Sequence, residues 1–319
     1  MFNQEFKKSF LDTFENVKTK ETYSRIFKNS MTLETKLNKD LYNFSKAEIN
    51  TFLKEYLVAK TKQSIRTYVS VISRYVYFAN VQGVTDNTGE YVSKNQKYFF
   101  KYLNKETQIY LSKSEIDSII LSLVNAQDAF IISALFDGIE GTKVEELTRL
   151  KIQDIDVLSR VAKVKSKKGE REVSISKRTV DLALMANGEV EYYKKNGESE
   201  HERDTIELVE NSPYILKPSN SRPSNEGYVS HYTVYNRLEM IKSLEEFEEL
   251  KDALTTKNIM RSGMIYEASK IVQENGTLSL DDVKDICKKY NVRYVWSVND
   301  FLNKDVVESI YGTLTKEAV

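Results

Sequence analysis

Three prolines in 319 residues, with only 11 glycines, leave this chain nearly free of the residues that interrupt helices. Between those sparse breaks the apolar residues recur at helical spacing. Ile65, Val69, Ile72, Val76 and Ala79 follow one another at steps of four, three, four and three, one apolar stripe on a helix that also displays Lys62, Arg66 and Arg74. Upstream, Thr22 to Phe27 and Ser45 to Leu53 read as two further helices, the second opened by Ser45 and Glu48 in capping-box register.

Residues 1–105 therefore read as a small helical bundle and 106–319 as a second domain. The linker falls in Val81 to Lys105, where Gly, Asn, Thr and Lys dilute the periodicity, and Ser112 and Glu115 reopen a helix after it. The best strand signal is Val161 to Ile175, two β-leaning runs about a Ser166-Lys167-Lys168-Gly169 turn with lysines at its tip. Glu189 to Glu210 and Glu245 to Asp252 are acidic and read as loops or exposed helix faces. The fold class expected is mainly α with a small antiparallel β-sheet.

A 40% hydrophobic content suits soluble domains of this size. One cysteine, Cys287, excludes an internal disulfide framework, and the absence of an apolar run long enough to span a bilayer points to a cytoplasmic protein without membrane contact. Two histidines and one cysteine cannot supply the usual structural zinc sets, so neither metal nor other cofactor is expected. The formal charge is zero, 47 minus 47, but it is unevenly spread. Residues 1–110 hold 18 Lys and Arg against 11 Asp and Glu; residues 111–319 hold 29 against 36, yet 143–178 within them is basic at 11 against 6. Concentrated positive segments are what a nucleic-acid footprint requires, and a solvated helix surface produces them too.

Specific motifs narrow the choice. In the first domain a Thr-Tyr helix, a Ser-Lys-x-Glu-Ile helix and Ser64-Ile65-Arg66-Thr67-Tyr68 come in the order seen in the core-binding domain of tyrosine recombinases and phage integrases. In the second, Ala134 to Asp156, with Gly141-Thr142-Lys143-Val144-Glu145-Glu146-Leu147 at its centre, resembles that family's first conserved box. The hairpin lies where the family carries a catalytic lysine, matched by Lys167 with Lys168 beside it. Leu254 to Gly263 resembles the box that normally reads His-x-x-Arg. The resemblance spans nearly the whole chain and implies a two-domain clamp on duplex DNA.

Departures from the pattern bear on chemistry. Phosphoryl transfer to a tyrosine needs cations around the scissile phosphate and a group to move a proton. Lys143 stands where the family has its first arginine, keeping charge without the planar bidentate fork. Asn258 replaces the histidine and cannot shuttle a proton. Arg261 keeps the second arginine position. Tyr311 is the candidate nucleophile, but with 20 tyrosines in the chain a tyrosine at this place carries little weight, and the reading that outweighs it is a packed or C-terminal surface tyrosine. Nine residues before it, where the family keeps His or Trp, is Leu302; Trp296 is nearby but out of register.

Taken together, the resemblance implies a DNA-binding protein with a depleted cutting site, vestigial at Lys143, Lys167, Asn258, Arg261 and Tyr311. Expected phosphate contacts are Lys62, Arg66 and Arg74 in the first domain and Lys143, Lys167, Lys168, Lys257 and Arg261 in the second. Tyr232 and Arg237, on the helix before the second box, are expected base or backbone readers, with His231 structural. The whole sequence is similar to the lysogeny repressors of SPbeta-like prophages, which implies a transcriptional repressor bound to operator DNA at the host nucleoid, open to self-association or to a protein or peptide antagonist. Two other readings remain: an active, divergent integrase using Tyr311, and a docking platform that has lost DNA binding. The resemblance would also allow Thr313 to Val319 to be a tail exchanged between neighbours.

Overall fold

Two units, Met1–Thr107 and Gln108–Val319, make up the computed structural model, which describes residues 1–93, 96–102, 108–199, 204–221, 224 and 226–313. In the first unit, α1 (Gln4–Asp12), α2 (Val17–Leu37), α3 (Lys46–Thr51), α4 (Lys62–Val81) and α5 (Glu90–Ser93) surround one aromatic-rich core. The stripe of α4 is its spine: Ile65, Val69, Ile72, Val76 and Ala79 are all fully buried. The Ser45 capping box forms as expected, its hydroxyl accepting the Glu48 N–H while the Glu48 carboxylate accepts the Ser45 N–H. Sequence reasoning missed the buried ion pair of Lys7 and Glu34 at 2.5 Å, whose carboxylate also accepts the Leu41 N–H at 2.8 Å and the Ser30 hydroxyl at 2.8 Å. Three partners are what make a buried carboxylate tolerable.

The expected linker is narrower than its composition suggests. Val92 and Phe99 are fully buried in the first unit's core, and Tyr91, Tyr98, Phe100 and Tyr102 pack against it, so α5 and the 3-10 turn Gln96–Tyr102 belong to the bundle. A consecutive aromatic run such as Tyr98-Phe99-Phe100 carries no helical period, yet its rings bury a large area once α4 offers a wall.

The second unit is built on α6 (Lys113–Ser122) and α7 (Ala126–Phe136), whose every residue is buried. A helix buried on every face is a central helix, and its Gln127, Asp128 and Ser133 are buried polar residues. After it come the short α8 (Glu145–Thr148), β1 (Ile155–Asp156), β2 (Val161–Ser166), β3 (Gly169–Ser174) and α9 (Lys177–Gly188). The hairpin forms where the sequence places it: β2 and β3 pair antiparallel from Val161 with Ser174 to Ser166 with Gly169, leaving Lys167 and Lys168 as the two-residue turn, and β1 adds a third strand. Two residues of strand are too short to leave a period in the sequence.

Next are β4 (Glu191–Tyr193), β5 (Thr205–Glu207), α10 (His231–Lys242), α11 (Thr256–Asn275), α12 (Leu280–Lys289) and α13 (Lys304–Tyr311). The reading of Glu189 to Glu210 as loop or exposed helix is corrected here, because β4 and β5 pair antiparallel from Glu191 with Glu207 to Tyr193 with Thr205. Glu191 and Glu207 on the strands are exposed as expected, but Glu189 turns inward to accept the Ala126 N–H at 2.6 Å, and the strands' other face supplies Tyr192 to the interior, where its hydroxyl donates to Asp128 at 2.9 Å. Glu245 to Leu250 is an acidic 3-10 turn hung on buried Phe247. Among the described residues no helix is long and apolar enough to cross a membrane.

α11 crosses α7 at Gly263, where a Cβ would lie 1.8 Å from the Phe136 carbonyl oxygen and 2.7 Å from the Tyr290 hydroxyl. Backbone, not a flexible side chain, is the obstacle. Gly263→Ala is expected to destabilise the second unit by about 3 kcal/mol through overpacking, read as a lowered urea midpoint. An unchanged midpoint would mean that the two helices cross less closely than described.

Candidate nucleic-acid interface

The loop joining α7 to α8 is where the first box turns back on itself. Gly141, at φ 71, has no room for a side chain, since a Cβ would meet Glu146 Cγ at 2.7 Å. Lys143 and Val144 then take left-handed backbone, φ 56 and φ 53. That region is uncommon for any side chain and an outlier for a β-branched one. The reversal leaves Thr142 and Lys143 exposed and buries Val144, Glu145 and Glu146.

Those two glutamates hold the hairpin. Arg171 on β3 makes a two-pronged contact with Glu146, Nε to Oε1 at 2.9 Å and Nη2 to Oε2 at 2.7 Å. Nη2 also donates to the Gly138 carbonyl at 2.7 Å and Nη1 to the Lys289 carbonyl at 2.8 Å. Glu145 accepts the Lys167 N–H at 3.3 Å, tying down the hairpin tip while both tip lysine side chains stay exposed. Lys168 consequently lines one cavity of about 180 Å³ with Glu140, Gly141, Thr142, Met260 and Asn291. Nothing in the sequence singles out Arg171 from its basic neighbours. Its only signal is a charged residue at a strand position paired across the hairpin with buried Val164.

The second box supplies a second group of cations. Thr255 caps α11, accepting the Asn258 N–H at 3.1 Å. Lys257 and Arg261 follow at i and i+4 and so share a face; the Arg261 guanidinium beside Lys257 pushes its ammonium below the usual lysine range. Arg261 lies 4.6 Å over the Phe301 ring, and its charge beside the Tyr110 phenol opposes the rise that burial gives that group's pKa. Glu140 joins the two boxes. Burial raises its pKa above the usual carboxylate range, opposed by a hydrogen bond from Thr256 and by the charges of Lys257 and Arg261.

Asn258 points elsewhere, its Nδ2 donating to the Asp252 carbonyl at 2.9 Å. Tyr311, the last residue of α13, accepts the Lys113 N–H on its hydroxyl at 3.1 Å. Burial pushes that phenol well above its ordinary pKa. Leu302 is core, 3% exposed. In the first unit Lys62 and Arg74 are exposed on α4, with Arg74 donating to the Tyr23 hydroxyl at 3.1 Å and Arg66 lying 5.3 Å over the Phe100 ring.

The expectation that Arg237 reads DNA is corrected. It is 8% exposed, 3.5 Å from buried Asp128, donates to Gln127 at 3.2 Å and lies 4.5 Å over the Tyr192 ring. It neutralises a core carboxylate. Tyr232, on the same helix, is 65% exposed, stacked 4.1 Å from His231. Among the described residues no three His, Cys, Asp or Glu side chains could hold a metal ion together. In the Thr313 to Val319 tail, residues 314–319 lie outside the described residues.

Residues 110–312 match the family description "MrpR, C-terminal catalytic domain", and residues 1–82 match "MrpR, N-terminal core-binding domain". A relative from Bacillus subtilis (strain 168), the SPbeta prophage-derived uncharacterized protein YopR, is 28% identical over 98% of this chain and 97% of its own. Similar solved structures are XerA recombinase (16% identity, 96% of this chain and 97% of that one, TM-score 0.42) and the Tn1549 transposon integrase in complex with transposon right end DNA (12%, 96% and 96%, 0.48). A third is the integrase from mycobacterium phage Brujita (11%, 97% and 96%, 0.36).

Arg171→Met leaves the buried Glu146 carboxylate without its partner and is expected to lower the stability of the second unit by about 3 kcal/mol. Removing both charges in Arg171→Met/Glu146→Leu should recover much of that loss. Denaturant unfolding of the two variants checks this, and equal stability of Arg171→Met and the parent would show that the pair contributes nothing.

Proposed function

Because this chain belongs to the MrpR family of two-domain, recombinase-like proteins, and because its cations converge where its proton-moving groups do not, we propose that it is a sequence-specific duplex-DNA-binding repressor that cuts no strands. The observation that carries this reading is the pairing of Lys257 with Arg261 across Glu140, set against an Asn258 amide spent on the Asp252 carbonyl. Phosphate recognition needs only held positive charge, whereas strand transfer also needs an activated nucleophile and a proton carrier. A phenol whose burial resists ionisation, like Tyr311, supports binding over cutting.

On this reading residues 1–105 form the core-binding domain and 106–319 the second DNA-contacting domain, acting on operators at the host nucleoid. Lys62, Arg66 and Arg74 contribute phosphate contacts from α4. Lys143, Lys167, Lys168, Lys257 and Arg261 contribute them from the second unit, and Tyr232 is an exposed candidate reader. Phosphate contacts orient the protein but carry no sequence information, so specificity comes from a few base contacts and DNA shape. The prophage-derived name of the Bacillus relative supports lysogeny control as the setting.

The test mixes the purified protein with fragmented genomic DNA of its source at physiological salt and sequences what is retained. A few fragments sharing a motif near promoters are expected, with Lys167→Ala and Lys168→Ala each lowering the salt slope of binding by about 1. A single attachment-like site, with a covalent adduct on a nicked duplex that Tyr311→Phe abolishes, would instead identify an active recombinase. Uniform or absent retention would overturn the repressor.

Glu140 makes binding pH-sensitive. Its carboxyl has a raised pKa, so as pH falls through that value it takes up a proton, removes one negative charge from beside Lys257 and Arg261, and strengthens phosphate binding. The expected result is a salt midpoint for retention that rises as pH falls, and a Glu140→Gln variant that binds tightly throughout with a flatter pH response. Identical pH profiles would remove Glu140 from the interface.

A further inference from the structure

Residues 293–300 form an arch with both feet in the cation cluster. At one foot, Tyr290, Asn291 and Val292 line the cavity that holds Thr142 and Lys168. At the other, Phe301 is the ring beneath the Arg261 guanidinium at 4.6 Å. The first foot is rigid: the Tyr290 hydroxyl donates to the Phe136 carbonyl at 2.8 Å, the Lys289 carbonyl accepts from Arg171 at 2.8 Å, and the Val292 N–H donates to the Cys287 carbonyl at 2.8 Å.

The crown of the arch is aromatic and exposed. Trp296 is 72% exposed and Tyr294 49%, their rings 5.7 Å apart at 32°, with the Arg293 guanidinium 5.2 Å over Tyr294. The 3-10 turn Val295–Val298 that carries the indole is held by buried Val298 and by Val295, which packs against the same core. A tryptophan gains nothing for the fold by standing in water, and Trp, Tyr and Arg are the residue types enriched where a surface meets a partner. Charge selects the partner. From Ile286 to Asp300 the chain carries Lys288, Lys289 and Arg293 against one carboxylate, Asp300 beside the Phe301 foot. Four residues reach at most about 14 Å, so Trp296 stays within one groove width or so of Val292 at the cavity rim.

We propose that the Tyr294–Trp296 pair is a DNA contact, packing against the sugars and groove edge of the duplex whose phosphates the Lys168 and Arg261 cations hold. This deepens, and rests on, the repressor reading. Aromatic rings packed against sugars bury a large area and read no base, so the pair adds affinity and senses groove shape without a base code of its own.

Trp296 is the only tryptophan in the chain, so its fluorescence reports this one position. The experiment titrates full-length protein with the duplex retained from genomic DNA, or with mixed-sequence duplex at low salt if none is retained. It follows indole emission and, in parallel, mobility shift. Quenching that tracks the mobility shift is expected, with Trp296→Ala weakening binding about ten-fold and Trp296→Phe within about two-fold of the parent. Circular dichroism of both variants should match the parent because the side chain is exposed. DNA binding with unchanged emission and an unaffected Trp296→Ala would overturn the contact and leave the repressor standing. An emission shift that follows protein concentration without DNA would assign the patch to a second copy and overturn it also. No duplex binding under any condition would overturn both.

Discussion

Glu146 is buried to 1% and would destabilise the second unit if it stood alone. Arg171 meets both of its oxygens, and the same guanidinium reaches the Gly138 and Lys289 carbonyls, so one side chain joins β3, the end of α7, α8 and the end of α12. A planar fork with several fixed donors can do this where an ammonium cannot. The arrangement depends on Gly141, because any side chain there would collide with Glu146, and on Gly263, which lets α11 approach α7 closely enough for Tyr290 to reach Phe136. The hairpin tip, the loop of the first box and the foot of the aromatic arch therefore sit on one shared support.

What that support presents is charge. Lys143, Lys167 and Lys168 are exposed on loops whose backbones are tied or strained into place. Lys257 and Arg261 come from a capped helix and are moderated by Glu140. Partly buried charges of both signs in contact can be tuned by small changes in protonation, since the field between them is less screened than at an open surface.

Features set by neighbours in the chain were legible. The capping boxes at Ser45 and Ser112 form as expected, the hairpin turns on Lys167 and Lys168, and the stripe of α4 is buried throughout. Reading failed where burial depends on a distant wall. Composition made Val81 to Lys105 a linker, yet Val92 and Phe99 are core. Acidity made Glu189 to Glu210 a loop, yet alternate residues of β4 and β5 face inward. Arg237 looked like a groove residue by its place before the second box, and instead it answers the charge of Asp128, 109 positions upstream.

By itself the sequence determined the helical class, the order of the boxes and which residue types occupy them, because caps, turns and apolar periods act over a few residues and the motifs are contiguous. Family membership follows from the same information. Tertiary structure alone decided which charges stay accessible and which are consumed inside. Arg171 and Arg237 are spent on buried carboxylates, whereas Lys168 reaches a cavity and Arg261 lies over an aromatic ring. Trp296 is out of the family's register in the sequence and at the crown of the arch in space. The reason is physical: a charge or an indole acquires its role from the dielectric and the partners around it, and those are set by segments that the chain brings together only on folding.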